Sequence, residues 1–337
     1  MAHDVISRLD GYQRRHRWIG LPLAVVYKFF DDQGGYLTAL ITYYGFLSLF
    51  PLLLLFVTVL GFALHGDAQL QGKLLNSALA QFPVVGSQLR QSVHAQGGSG
   101  LGLAVGIVGT LYGCLGFAQA TQNAFNRIWS VPRHRRPNPV LSRARSLLLL
   151  LVLGLGVLVT TALSAVTTGA GQLGAHVHPE LRIAGTLLGV LANFGLFMLA
   201  FRVLTAPGVP TRDLRLGAAA AAVGWQAAQL AGAYFVTHKL KGTSEAYGVF
   251  GLVLGLVAWI YLLALVTVLS AEINVVVSRH LWPRALLTPF TDHVRLTRAD
   301  QRAYTRYAQT ERHKGFQVVD VDFQGEEHEQ APDGDQT

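Results

Sequence analysis

The chain has 337 residues, of which 51% are apolar and only 14% charged, and its formal net charge is +8. Soluble domains carry about 25% charged residues; here the charges concentrate near the termini and leave long internal stretches with almost none. Such stretches are typical of a membrane protein, because a charge at the bilayer centre costs several kcal/mol. A single cysteine, Cys114, excludes an intrachain disulfide.

Residues 1–36 are predicted to form a cytoplasmic region that contains an amphipathic helix. Between residues 17 and 30, apolar side chains recur at helical spacing between basic flanks, which predicts a helix lying on the inner membrane surface. Asp31 and Asp32 follow it; neighbours in sequence point apart on a helix and do not form a metal clamp, so we expect them to cap the first membrane helix. The apolar stripe consists of Trp18, Leu21, Val25 and Phe29.

Six segments are long and apolar enough to cross a bilayer, which takes about 20 mostly apolar residues. The predicted fold is therefore all-α: a polytopic membrane protein with six transmembrane helices. The first segment exceeds the apolar core of a signal peptide, roughly 7–15 residues, so we expect it to remain as a membrane anchor. The transmembrane domain covers residues 37–285, with spans near 37–64, 100–123, 147–168, 183–205, 214–236 and 247–277.

Lysine and arginine are distributed unequally between the two sets of connections. With six spans, 22 of the 27 basic residues fall in the termini and in the loops after the second and fourth spans. Cytoplasmic loops carry an excess of these residues. The pattern predicts that both termini are cytoplasmic.

Three regions outside the spans have distinct compositions. Residues 65–98 form a long outer loop in which two short helices, broken at Pro83, are predicted. Residues 286–314 are predicted to form a cytoplasmic basic helix, with helical character from 291 to 314. Residues 315–337 contain seven acidic and no basic residues, which predicts a disordered tail.

Uncharged polar residues occur within the predicted spans. Amides in a bilayer need partners and should face the bundle interior. Two interpretations stay open: hydrogen bonding between helices, or a polar groove that passes a lipid headgroup or another amphipathic solute. Pro51 removes a backbone hydrogen bond and is predicted to kink the first span. The groove candidates in the first, second and fifth spans are Thr42, Tyr43, Tyr44, Ser48, Pro51, Gln119, Gln122, Asn123, Asn126 and Gln226.

The last span contributes three further candidates, Tyr247, Glu272 and Asn274. At 1.5 Å per residue, Glu272 lies about 37 Å along the helix from Tyr247, which places it near the inner interface. We predict that Glu272 pairs with a basic loop residue such as Arg127. The alternative is a role in binding substrate or a proton.

Three motifs occur in an order that resembles the BrkB/YihY family of bacterial inner-membrane proteins, over roughly residues 25–285. The resemblance implies six spans and a bacterial inner-membrane location. Family members have been linked to serum resistance and to transport of envelope lipids; an earlier ribonuclease label is regarded as an error. One departure is Ser270, where the family usually has glycine. The motifs are ALITYYGFLSLFP from Ala39 to Pro51, NRIW from Asn126 to Trp129, and YGVFG from Tyr247 with AEIN from Ala271 to Asn274.

Two functions follow as hypotheses. The first is a transporter or flippase-like protein for an envelope lipid or amphipathic solute, with membrane lipids as partners and anionic headgroups at the basic loops. The alternative is a scaffolding protein that recruits partners through its cytoplasmic tail. Glycines spaced by three or four indicate tight packing or a homo-oligomer.

An enzyme is not predicted, because no carboxylate cluster and no phosphate-binding loop is present. His176, His178 and Glu180 could bind zinc, but a turn explains them equally well, so we predict no metal site. We also predict no cofactor and no nucleic-acid partner.

Overall fold

The computed structural model describes residues 2–63, 100–172, 179–206, 208–239, 248–291 and 294–323. Within these ranges the regular structure is helical throughout, which confirms the predicted all-α class. The α-helices in these ranges are α1 (Ala2–Arg15), α2 (Arg17–Asp31), α3 (Gly34–Ala63), α4 (Gly100–Ile128), α5 (Pro139–Gln172), α6 (Pro179–Leu204), α7 (Arg215–Lys239), α8 (Gly248–Ser278) and α9 (Arg298–Thr310).

Helices α3 to α8 are long, with 25 to 34 residues each. At 1.5 Å per residue the shortest measures about 37 Å, which exceeds the roughly 30 Å of a bilayer core. Among the described residues, three helices are also apolar enough to cross a membrane, in the windows Pro139–Gly156, Leu187–Leu204 and Val253–Ser278. The structure thus supports spans in α5, α6 and α8, while spans in α3, α4 and α7 stay predictions.

Each of the six long helices packs against the next, α8 also packs against α3, and α4 makes further contacts with α6 and α8. Small residues allow the closest approaches. A Cβ added to Gly113 of α4 would lie 2.8 Å from the Cα of Ser48 in α3, and one added to Gly116 would lie 2.5 Å from the Tyr44 ring. The predicted use of glycine for tight packing is therefore confirmed at the α3–α4 contact.

The N-terminal region contains the predicted helix, α2, and a helix that was not predicted, α1. Part of the predicted apolar stripe is wrong, because Val25 is buried in the protein core, where α2 packs against α8. Trp18, another residue of the predicted stripe, is 87% exposed. The exposed apolar face of α2 consists of Trp18, Ile19, Val26 and Phe30, and its contact with a membrane surface stays a prediction.

The predicted C-terminal helix is shorter than expected and begins at Arg298. Its start is determined by a capping box, in which the Thr297 hydroxyl accepts from the backbone N–H of Asp300 and the Asp300 carboxylate accepts from the backbone N–H of Thr297. The predicted outer-loop helices and the acidic tail after residue 323 lie outside the described residues.

Candidate functional site

A buried charge cluster joins α2 to α8. The Lys28 ammonium pairs with Asp32 one helical turn later and lies 3.3 Å from Glu272 Oε2. It also donates a hydrogen bond to the Ile128 carbonyl at the end of α4, at 2.9 Å. All three charged side chains are at most 1% exposed, so the cluster connects three helices away from solvent. We call Lys28, Asp32 and Glu272 the charge cluster.

The electrostatics of the charge cluster follow from its burial. Burial raises the pKa of Asp32, although the Lys28 ammonium beside it acts in the opposite direction. Burial alone would lower the pKa of Lys28, but Glu272 and then Asp32 raise it above its usual value. The 3.3 Å contact to Glu272 is an ion-pair distance without hydrogen-bond geometry, and both Glu272 oxygens lack a hydrogen-bond partner in the described part of the chain.

The predicted partner of Glu272 is wrong. Arg127 lies 3.8 Å from Glu311 instead, and both of those side chains are more than a third exposed. Lys28 takes the place that was predicted for Arg127. A sequence signal existed for the Lys28–Asp32 pair, because a lysine stands four residues before Asp32 on a mostly apolar helix, where an i,i+4 ion pair can form. No such signal pointed to the contact between Lys28 and Glu272, which are far apart in the sequence.

A second buried ion cluster fastens the segment after α8 to the N-terminal helices. Arg284 is 1% exposed and contacts Asp31 at 2.9 Å and Asp300 at 2.5 Å. Its backbone carbonyl accepts a hydrogen bond from Gln13 at 2.6 Å. Asp31 therefore pairs with Arg284 and Asp32 pairs with Lys28, so the prediction that these two carboxylates cap α3 is wrong.

Asn274 connects α8 to the start of α7. Its Oδ1 atom accepts a hydrogen bond from the backbone N–H of Gly217 at 2.6 Å. A Cβ at Gly217 would lie 2.1 Å from the Ser270 carbonyl oxygen, so only glycine fits at this crossing. Asn274 thus serves a packing role, which corresponds to the interhelical hydrogen bonding predicted for amides.

The four amides predicted along α4 separate into two sets. Gln122 is buried and donates to the Ser146 hydroxyl at 2.8 Å and to the Ser142 carbonyl at 3.1 Å in α5. Asn126 is also buried. Gln119 and Asn123 are exposed. Gln122 fits the interhelical interpretation. Asn126 is buried without a side-chain bond in the described residues that would identify its partner helix, and Gln119 and Asn123 leave their amides exposed.

The candidates in α3 also differ from one another. Thr42 and Ser48 are buried and donate to backbone carbonyls of their own helix, at 2.8 and 2.9 Å. Tyr44 is half-buried against α4, and Tyr43 is 61% exposed. Helix α3 continues through Pro51, and the kink predicted there stays a prediction.

The last candidates for the predicted groove lie on α7 and before α8. Gln226 on α7 is half-buried. Tyr247, together with His176 and His178, lies outside the described residues. The structure brings Glu272 together with two side chains that were not predicted as site residues, Lys28 and Asp32.

The chain is similar to known proteins over most of its length. The family model "Virulence factor BrkB" matches residues 25–289. The chain is 25% identical over 261 residues to "Inner membrane protein YhjD" of Escherichia coli (strain K12), covering 72% of this chain and 77% of that protein. It is 26% identical to an uncharacterized protein of Dickeya dadantii (strain 3937), covering 72% and 79%.

No solved structure matches the chain. The family match covers most of the chain, including α3 to α8 and the charge cluster, and three of those helices are apolar enough to cross a bilayer. The protein is therefore a membrane protein that belongs to the BrkB family.

Proposed function

We propose that this protein is a bacterial inner-membrane transporter or flippase-like protein that moves an envelope lipid or another amphipathic solute. The location rests on the apolar helices and on similarity to a relative named as an inner membrane protein. In this proposal the protein is not an enzyme, and its partners are membrane lipids.

The observation that carries the proposal is the pair of exposed amides on α4. Gln119 lies nine residues before the end of the helix at Ile128, which is about 14 Å along the axis. Neither Gln119 nor Asn123 hydrogen-bonds to another side chain in the described part of the chain. An amide that faces hydrocarbon without a partner costs several kcal/mol. This face therefore needs a polar occupant, which a lipid headgroup in transit would supply.

A reconstitution experiment tests the proposal. The purified protein in vesicles should move labelled phospholipids between leaflets, and the double variant Gln119→Leu/Asn123→Leu should slow this movement at least tenfold. Leu191→Ala on α6 is the control, because Leu191 is also exposed, at 63%, on a different helix. Lipid movement no faster than in protein-free vesicles, with or without an ion gradient, would contradict transport.

A homo-oligomer is the other arrangement that would cover the exposed amides. In that case the double variant would abolish cross-linking between copies, and lipid movement would continue at the original rate. This outcome would assign the face to a second copy and would remove the observation that carries the transport proposal.

A scaffolding role is the second candidate, and a groove on α9 favours it. The groove has a volume of about 500 Å³, and its seven lining residues include Arg298, Arg302 and Arg306. Burial lowers the pKa of Arg306, and the positive charges of Arg279 and Arg302 lower it further. Such a crowded positive surface suits an acidic partner. Deletion of residues 291–337 should abolish a tail-dependent function, and full function without them would exclude it.

A further inference from the structure

The charge cluster contains more acceptors than donors. Lys28 has three N–H donors; Asp32 and the Ile128 carbonyl each accept one, and Glu272 lies at ion-pair distance. Both Glu272 oxygens and Asp32 Oδ1 are buried and accept no hydrogen bond in the described part of the chain. The third Lys28 N–H can serve one of these oxygens, so at least two buried carboxyl oxygens lack a donor.

The positive and negative charges of the cluster also do not balance. One ammonium faces two carboxyl groups, so full ionisation would leave one net negative charge in a site that is at most 1% exposed. Burying an unbalanced charge costs several kcal/mol after relaxation. One further positive charge in the cluster would remove most of this cost.

The described elements around the cluster do not supply that charge. Arg127 on α4 acts on Asp32 from a distance, and it is 38% exposed and lies beside Glu311. From α9, the ring of Tyr307 lies 5.6 Å from the Lys28 ammonium and is neutral, because burial raises the pKa of Tyr307. Arg284 is next to Asp31 and Asp300, whose two negative charges exceed its own.

We propose that Asp32 and Glu272 form a proton-binding site, in which the two carboxyl groups hold one proton between them at neutral pH. The two carboxyl groups are within hydrogen-bond reach of each other. The proton therefore turns one carboxyl into a hydrogen-bond donor and the other into its acceptor, which supplies a donor to an oxygen that lacks one. It also makes the site neutral together with Lys28. The carboxyl groups come from the end of α2 and from α8, so the proton is bound only while α2 is packed against α8.

The bound proton makes the folded state dependent on pH. In the unfolded chain both carboxyl groups are ionised above about pH 5, whereas the folded site retains one proton. Because the folded state binds one more proton, its stability falls as the pH rises, by up to tenfold in the folding equilibrium per pH unit (about 1.4 kcal/mol). Lys28 stays protonated in both states near neutral pH and adds no slope there.

Infrared spectroscopy of the full-length protein in detergent tests the site directly. At pH 7 we expect the carbonyl stretch of a protonated carboxylic acid, with a shift to lower frequency in D₂O. Glu272→Gln keeps the size of the side chain and is uncharged, so it should fold and lack this band; Asp32→Asn should lack it as well. A wild-type spectrum without the band, or a band that persists unchanged in both variants, would overturn the proposal.

Unfolding in SDS at pH 6, 7 and 8 provides a second measurement. The slope of the logarithm of the folding constant against pH should become less negative by close to one unit in Glu272→Gln. Glu311→Gln is the matched control, because that carboxylate is half exposed, and its slope should equal that of the wild type. Equal slopes in all three proteins would overturn proton binding. A wild-type slope that is present in potassium buffer and absent in sodium buffer would overturn it as well.

The proton-binding site does not depend on the proposed function, because both measurements use protein in detergent without lipid transport. Failure of the lipid assay would therefore leave this inference intact, and an absent carboxylic acid band would leave the transport proposal intact.

Discussion

Replacing Gly217 by alanine should destabilise the contact between α7 and α8. The added Cβ would lie 2.1 Å from the Ser270 carbonyl oxygen and 2.4 Å from Asn274 Nδ2, although Cβ atoms essentially never approach other atoms within 3.0 Å. The backbone oxygen cannot rotate away, so α7 must move by about 1 Å. Overpacking of this kind costs about 1–3 kcal/mol.

The same movement weakens a hydrogen bond. The Gly217 N–H donates to Asn274 Oδ1 at 2.6 Å, and both groups are buried. Loss of such a bond costs about 1 kcal/mol, so the combined loss for Gly217→Ala is about 2–4 kcal/mol. The free energy of unfolding, measured by SDS titration of the protein in detergent, gives this value directly.

Gly195→Ala provides the control for the helix propensity of alanine. A Cβ at Gly195 in α6 would meet no atom within 4 Å, so we expect no loss and a gain of up to about 1 kcal/mol. If Gly217→Ala unfolds at the same SDS concentration as the wild type, the close crossing of α7 and α8 at this residue is refuted.

Three further predictions use different measurements. Lys28→Met leaves two buried carboxyl groups without a cation and should cost about 3–5 kcal/mol in SDS unfolding, with partial recovery at lower pH. Gln122→Leu leaves buried groups of α5 without their partner and should cost about 1–3 kcal/mol in the same assay. For orientation, in a Cys114→Ala background, Ser99→Cys should react with an impermeant thiol reagent from outside and Asn138→Cys should not; the reverse result would contradict cytoplasmic termini.

The helical framework was largely predictable, because apolar length is a local property of the sequence. Each segment of about 20 apolar residues was expected to form a helix, and the structure has helices at all six positions. The predicted segment 100–123, for example, became α4 from Gly100 to Ile128, five residues longer at its end. Helix ends were less accurate because polar residues can continue a helix beyond the apolar stretch.

The faces of the helices were not predictable from spacing alone. Gln119 and Gln122 are three residues apart in α4 and both carry amides, yet Gln119 is exposed and Gln122 donates to Ser146. The difference arises because α5 packs against one side of α4. Which side of a helix receives a neighbour depends on the assembly of all the helices, which no local pattern specifies.

The sequence by itself therefore determined the all-α class, the positions of the long helices and the family resemblance, since these depend on local composition and short motifs. The tertiary structure decided the partners. Glu272 meets Lys28 across 244 positions of the chain, and Gly217 lies against Ser270. A buried charge must find an opposite charge wherever the fold brings one near, and that choice is made by the packing of α2 and α4 against α8.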